Sequence, residues 1–252
     1  MSREQSLIAV VVVALLPAVV RAQPGDQMPQ PAYYAAVEEI YRGEYRSAER
    51  AFQRLSRSGV QAAQTRWIDT ICYRAMLGEV YYQQGRNGEA LAEFDQACLL
   101  LLANSDFLRK VRFDDPRRET ASARQPPPWG VGQRQFILGR FSRTMPVLMG
   151  ELSPERALRE GGAFLQAQFW RVDVAEILRT SALAIRRRNE ILGPLGRYDR
   201  ISKELAATMG RARLTLPNHW SQAWVEVLAG VSQAGVGNND EAKNRLQRAI
   251  TL

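Results

Sequence analysis

The sequence predicts a mainly α fold: antiparallel helical hairpins stacked into a partly irregular solenoid, with a small β element in the middle segment. Three observations carry that expectation. Small residues, bulky residues and a turn glycine recur at fixed offsets in three places along the 252 residues. A further segment repeats apolar residues at helical spacing, the pattern of a helix with one buried face. The composition, 46% hydrophobic and 24% charged, is that of a folded chain able to bury a core.

Residues 1–22 are set apart first. Arg3 supplies a positive start, Leu7 to Val20 is apolar throughout, and Val20-Arg21-Ala22 ends the run with small residues at the positions a signal peptidase reads. The spacing predicts a secretory signal peptide cleaved between Ala22 and Gln23. The run is shorter than the ~20 residues a bilayer-spanning helix needs, and no transmembrane segment is expected after signal removal.

Residues 23–104 and 211–252 hold the hairpins. In Ile71–Leu102, the residues Leu77, Gly78, Tyr81, Gly85, Ala90, Phe94 and Ala97 form one spacing pattern. Gly78 and Ala90 are small where two helices must touch, Tyr81 and Phe94 fill the flanking space, and Gly85 permits the turn. Upstream, Gly43, Tyr45, Ala48 and Phe52 repeat the turn and second helix, with Ala36 at the small position. Near the end, Gly230, Gly237, Ala242, Leu246 and Ala249 fall in the same register.

This pattern resembles the tetratricopeptide repeat, of the exported bacterial type. The likeness covers roughly residues 30–104 and 219–252, under half of the chain. Arg74 departs from the family's large aromatic, and Leu102 from its proline. Ala48 and Ala90 are 42 residues apart, against a family period of about 34. The link around Ser56–Asp69 is therefore expected to add helical turns or a loop. The resemblance implies a binding protein without catalysis or cofactor. It also implies a concave face lined by first helices, where Tyr33, Val37, Ala75, Glu79, Tyr82, Gln83 and Trp224 form a candidate groove for a protein or peptide partner. The family's carboxylate clamp needs Lys, Asn and Arg at such positions, so a chaperone-tail ligand is excluded. The competing expectation for these aromatics is packing between repeats, which suits the i,i+4 pair Trp220 and Trp224.

Residues 105–134, rich in proline and arginine, read as a loop or linker. Residues 135–172 read as irregular, with candidate strands at Arg143–Leu152 and Phe164–Val172. Residues 173–210 read as a helical pair, a degenerate repeat in outline. Asp173 and Glu176 have capping-box spacing. Val174, Leu178, Ala182, Ile185 and Leu192 form the apolar stripe, and Arg186, Arg187 and Arg188 are expected mostly to face away. Gly193–Gly196 ends this helix and Arg200–Met209 forms the next.

Little else points to chemistry. His219 is the single histidine, so no multi-histidine metal site is expected. Asp114-Asp115 reads as a solvated pair beside Arg117 and Arg118, and Trp129–Gly132 as a turn. The net charge is +8; loss of residues 1–22 removes Arg3, Arg21 and Glu4 from the 34 basic and 26 acidic residues, leaving +7. Arginines spread along an exported chain predict no nucleic-acid partner; weak attraction to an anionic surface fits the charge.

Cys72 and Cys98 sit at ends of the two helices that antiparallel packing brings together. Two readings are open: a disulfide closing 25 residues and adding roughly 3 kcal/mol, or two buried thiols on different faces. At the C-terminus, Leu246, Ala249 and Ile250 share an apolar face. That face suits a longer chain, packing on the middle segment, or self-association. The leading expectation is a non-enzymatic envelope scaffold for protein–protein interaction. The alternative is a polymer- or ligand-binding envelope protein that works through its middle segment.

Overall fold

The computed structural model describes residues 27–62, 65–107, 168–212 and 221–252, with strand residues 117–118, 124–125, 136–137, 139–140 and 144–149. The expectations for the signal peptide, His219, Trp220, Asp114-Asp115 and Trp129–Gly132 lie outside these residues. The fold is mainly α. Its helices are α1 Pro31–Tyr41, α2 Tyr45–Ser58, α3 Asp69–Gln83, α4 Asn87–Ala103, α5 Val174–Leu192, α6 Arg200–Arg211, α7 Gln222–Gly235 and α8 Asn239–Thr251.

Three hairpins, α1–α2, α3–α4 and α7–α8, close with the same turn. Gly43, Gly85 and Gly237 adopt φ of 79°, 75° and 83°, the left-handed region where a side chain would be strained. The residue after each glycine donates its N–H five residues back: Glu44 to Glu39 (2.8 Å), Arg86 to Tyr81 (2.9 Å), Asn238 to Gln233 (3.0 Å). Each turn is thus a Schellman closure that satisfies carbonyls at the end of the first helix. Five residues after each glycine comes Ala48, Ala90 or Ala242, all buried.

The helices of a hairpin interlock sixteen residues apart. A Cβ placed on Gly78 would lie 2.6 Å from the Phe94 ring, and one on Gly230 would lie 2.7 Å from Leu246 Cγ. Glycine therefore lets the bulky partner lie directly on the backbone. In the first hairpin buried Ala36 and Phe52 hold these positions.

Successive hairpins stack. α3 packs on α2, α5 packs on both α3 and α4, and α7 packs on α5 and α6. One core runs through them, with Tyr33, Phe52, Ile71, Tyr73, Leu77, Phe94, Leu101, Ile177, Leu178 and Ile185 fully buried. Tyr33 makes an edge contact with Phe52 at 5.9 Å and a tilted one with Tyr73 at 5.9 Å. On the apolar C-terminal face Leu246 lies over Gly230 and is half-buried, as is Ala249, while Ile250 is 82% exposed. The α5–α6 pair differs from the other three. Gly193 (φ 52°) leads into a 3-10 turn, Gly193–Tyr198, and Arg188 bridges the two helices.

The middle segment contributes a three-stranded sheet. Strand β2, Thr144–Met149, pairs antiparallel with β3, Gln168–Asp173, from Thr144↔Asp173 to Met149↔Gln168; β2 lies within its candidate region and β3 runs one residue past the end of its own. Strand β1, Gln27–Met28, adds in parallel on the other side of β3. β3 runs directly into α5, so the sheet fixes where that helix begins. Within residues 105–134, read as a loop or linker, Arg117–Arg118 pairs with Gly139–Arg140 and Arg124–Gln125 with Phe136–Ile137. Extended chain must satisfy its peptide groups, and neighbouring extended chain is the available partner.

The link between the first two hairpins is a loop carrying a two-residue ladder, Gln61–Ala62 with Thr65–Arg66. It closes over Asp69, which is fully buried and accepts from the Val60 N–H at 3.1 Å. Burial raises the Asp69 carboxyl to about 6, against the opposing pull of N–H groups from Val60 and Thr70. A carboxyl more basic folded than unfolded binds its proton on folding, so its contribution is complete below about pH 4 and lost as pH rises through about 6. Wild type is expected to lose up to about 3 kcal/mol of stability between about pH 4 and 7 relative to Asp69→Asn. Urea titrations of both at the two pH values check this, and parallel pH slopes would exclude it.

Candidate functional site

The candidate groove is filled by α5. Asp173 caps that helix, accepting the Glu176 N–H at 3.0 Å, as the capping-box spacing predicts. The reciprocal half of the box is diverted: the Glu176 carboxylate takes a short hydrogen bond from the Tyr33 hydroxyl and a two-pronged one from Arg179, at 2.6 and 2.8 Å. Tyr34 donates to Asp173 at 2.9 Å. Two turns on, Arg187 grips Glu79 through Nε (2.7 Å) and Nη2 (2.8 Å), reaches Glu190 at 2.7 Å, and lies 4.3 Å over the Tyr82 ring. Gln83 donates to Glu79 at 2.6 Å.

Of the seven candidate groove residues, Tyr33, Ala75 and Glu79 are therefore buried. Val37, Tyr82 and Trp224 are half-buried against the core, and only Gln83 is exposed. The structure brings Tyr82, Gln83 and Glu79 together with Arg187, and leaves Val37 and Trp224 elsewhere. What looked like an open apolar groove is a closed polar seam, because the next helix carries the complementary arginines.

Arginines 187 and 188 correct a second expectation. Arg188, 2% exposed, donates to Asp95 (2.6 Å), Asp199 (2.8 Å) and Ser202 (2.6 Å), joining α4, α5 and α6. Helical phase carried the signal: Arg188 lies three residues beyond Ile185 and ten beyond Leu178, on the buried stripe. Glu226 on α7, 1% exposed and paired with Arg245 at 3.1 Å, was also unforeseen. A lone acid inside an apolar run gives no hint of an arginine nineteen residues later.

The disulfide reading is corrected too. Cys72 and Cys98 are free, buried thiols. Cys72 faces α5, 3.3 Å from Thr180 Oγ1, whereas Cys98 lies in the field of Arg188, Asp95 and Asp199, so the two look toward different neighbours. Burial pushes Cys98 up to about 12 and Cys72 well above its ordinary value. Thiolate is the reactive form, so neither is expected to react in the native chain with a thiol reagent. Unfolding without reductant should release both, and release of none would restore the disulfide.

Open clefts lie elsewhere. The larger, about 810 Å³, is lined by Gly43, Tyr45, Arg46, Ser47, Arg50, Gln84 and Arg86, across the turns of the first two hairpins. A second, about 490 Å³, lies between the sheet and the first hairpin, with Met28, Gln30, Pro31, Ser58, Val60 and Trp170 around it. The indole N–H of Trp170 is buried there without a partner among the described residues. Among the described residues no group of three or more His, Cys, Asp or Glu side chains is placed to hold a metal ion. No helix among them is long and apolar enough to cross a membrane. Comparison with family models, curated proteins and solved structures finds no match to this chain.

Proposed function

We propose that the chain is an exported, non-enzymatic, tetratricopeptide-like scaffold that mediates protein–protein interaction in the cell envelope. The observation that carries the reading is the threefold recurrence of one turn and one interlock, in hairpins that stack on a shared core. Stacked hairpins build extended faces from many short elements, the architecture that repeat proteins use to hold partners. The buried ionisable groups Glu176, Arg188 and Glu226 each serve packing between helices, and this favours a framework over an acid–base centre. The closed inner seam moves the binding surface to the outer faces.

The test joins two measurements. Fractionation of cells for the native protein is expected to place it in the envelope, and recovery solely from the cytoplasm removes the export half. Pull-down from envelope extract with the mature chain is expected to retain a defined protein set; retention of none removes the scaffold half.

A second reading has one observation in its favour, the cleft at Trp170 with its N–H unpartnered among the described residues. In that reading the sheet presents an aromatic wall to an envelope polymer or small ligand and the hairpins support it. Trp170→Ala separates the two, since it is expected to affect ligand binding and leave the pull-down unchanged.

A further inference from the structure

Helix α2 carries Arg46, Arg50, Arg54 and Arg57, all exposed. The spacing i, i+4, i+8, i+11 places them on one face of the helix, over about 16 Å. Among the described residues none of the four makes an ion pair; the polar contact they make there is Arg50 Nε with its own helix at the Arg46 carbonyl, 3.3 Å. Arg42, Arg197, Arg200 and Arg211 are likewise exposed without an ion pair among the described residues, and it is the alignment of four on one helix face that sets α2 apart. Arg74, Arg86, Arg179, Arg187, Arg188 and Arg245 each pair with carboxylates. Like charges four residues apart weaken a helix, so the α2 stripe opposes its own folding and gains no return from the described residues.

The stripe borders open space. The cleft bounded by Gly43–Arg50, Gln84 and Arg86 meets a second of about 390 Å³, lined by Ser47, Arg50, Gln53, Arg54 and Arg57, and the two share Ser47 and Arg50. Together they form a trough along α2. Two acids line it: Glu49, held by Arg86 at 3.2 Å, and Glu44, exposed at the turn end beyond Arg46.

We infer that this trough is the docking site for an acidic helical segment of a protein partner, with carboxylates recurring every three or four residues. The inference rests on the protein-binding reading above and names the partner's chemistry. A guanidinium presents two parallel donors that match a carboxylate, and α2 offers four such forks with no lysine. Forks about 6 Å apart along the axis match carboxylates at i,i+4 on a second helix, which have the same rise. A flat membrane surface fits less well. The apolar face of α2, with Ala48, Phe52 and Leu55, is buried in the core and cannot insert into lipid, and the cleft beside Arg50 is recessed between two hairpins.

The test uses the full mature chain and two labelled alanine-based helical peptides of identical composition. One carries four glutamates at i, i+4, i+8 and i+11; the other carries them dispersed around the helix. Fluorescence anisotropy is read at low and physiological salt. The spaced peptide is expected to bind at least about fivefold tighter than the dispersed one, and Arg50→Glu/Arg54→Glu to weaken it at least about tenfold. Arg50→Lys/Arg54→Lys keeps the charge and loses the forks, so it is expected to bind both peptides alike. All four side chains lie outside the core, and unchanged circular-dichroism melts verify that the variants fold.

Equal affinity of wild type for the two peptides overturns the inference, as does unchanged binding by the charge-reversed variant. Phosphatidylglycerol vesicles and single-stranded DNA form further arms. If either binds wild type in an Arg50- and Arg54-dependent way while the spaced peptide does not, the stripe serves that polyanion and the inference fails. Pull-downs separate this failure from that of the scaffold reading. A charge-reversed variant that retains the same envelope proteins as wild type removes the trough as the site and leaves the scaffold standing.

Discussion

Arg188→Ala is expected to lower the unfolding free energy by about 3–5 kcal/mol, the range for removing one member of a buried charged cluster. The guanidinium is enclosed, while its partners Asp95 and Asp199 keep side-chain exposures of 31% and 28%. The two carboxylates can regain some water when the arginine is lost, which holds the cost toward the lower end of the range. The remainder comes from structure. Ser202 loses its partner, and the space between α5 and α6 is left empty where the other hairpins have direct packing. Arg188→Lys should recover only part, because one ammonium cannot place three planar donors on Asp95, Asp199 and Ser202 together. Asp199 adds a signature in acid. Burial would raise its carboxyl, but the Ser202 N–H and Arg188 outweigh burial and hold it below the ordinary value. A depressed carboxyl stabilises above its unfolded pKa, and the stabilisation is lost as pH falls through the folded value. Wild type should therefore shed part of the Arg188 advantage in strong acid, and Arg188→Ala should not. Urea denaturation across pH reads both effects. A loss under about 1 kcal/mol at neutral pH would mean the cluster merely occupies space.

Phe94→Ala is expected to cost about 3–5 kcal/mol by leaving a cavity in the second hairpin. Gly78→Ala is expected to cost about 1–3 kcal/mol by overpacking, since its Cβ would stand 2.6 Å from the ring. The two should not add. With the ring gone, the methyl introduced by Gly78→Ala enters vacated space, so the double variant should be more stable than the sum predicts by at least about 1 kcal/mol. Full additivity in a chemical-denaturation cycle would show that the two side chains are not in contact. The same cycle on Gly230 and Leu246 should give the same sign, because those residues meet in the same way.

How much of this was legible beforehand depended on how local the cause was. The turns at Gly43, Gly85 and Gly237 were legible because a left-handed backbone position is a property of one residue and its neighbours. The contact of Gly78 with Phe94 was legible because a fixed offset in an antiparallel hairpin determines which residues meet. The capping of α5 by Asp173 was local too, but the destination of the Glu176 carboxylate was not, since Tyr33 lies 143 residues away. The candidate groove failed for the same reason. Tyr33, Ala75 and Glu79 have the composition of a binding face, and their burial depends on a helix about a hundred residues later that brings Arg179 and Arg187 onto them.

The order of residues along the chain was enough to set the hairpins: where each helix starts, which glycine turns the chain, and which small residue admits which large one. Those features follow from backbone geometry and short-range packing, which a repeat displays several times over. The order in which surfaces were closed was settled in three dimensions. α5 sealed the inner face because its arginines met acids on α3 and α4, and no other described helix covered the α2 stripe, so its charges stayed open. Charge pairing between distant helices depends on position in space and has no period along the chain, which is why the pattern that located the helices could not say which of their faces remain open.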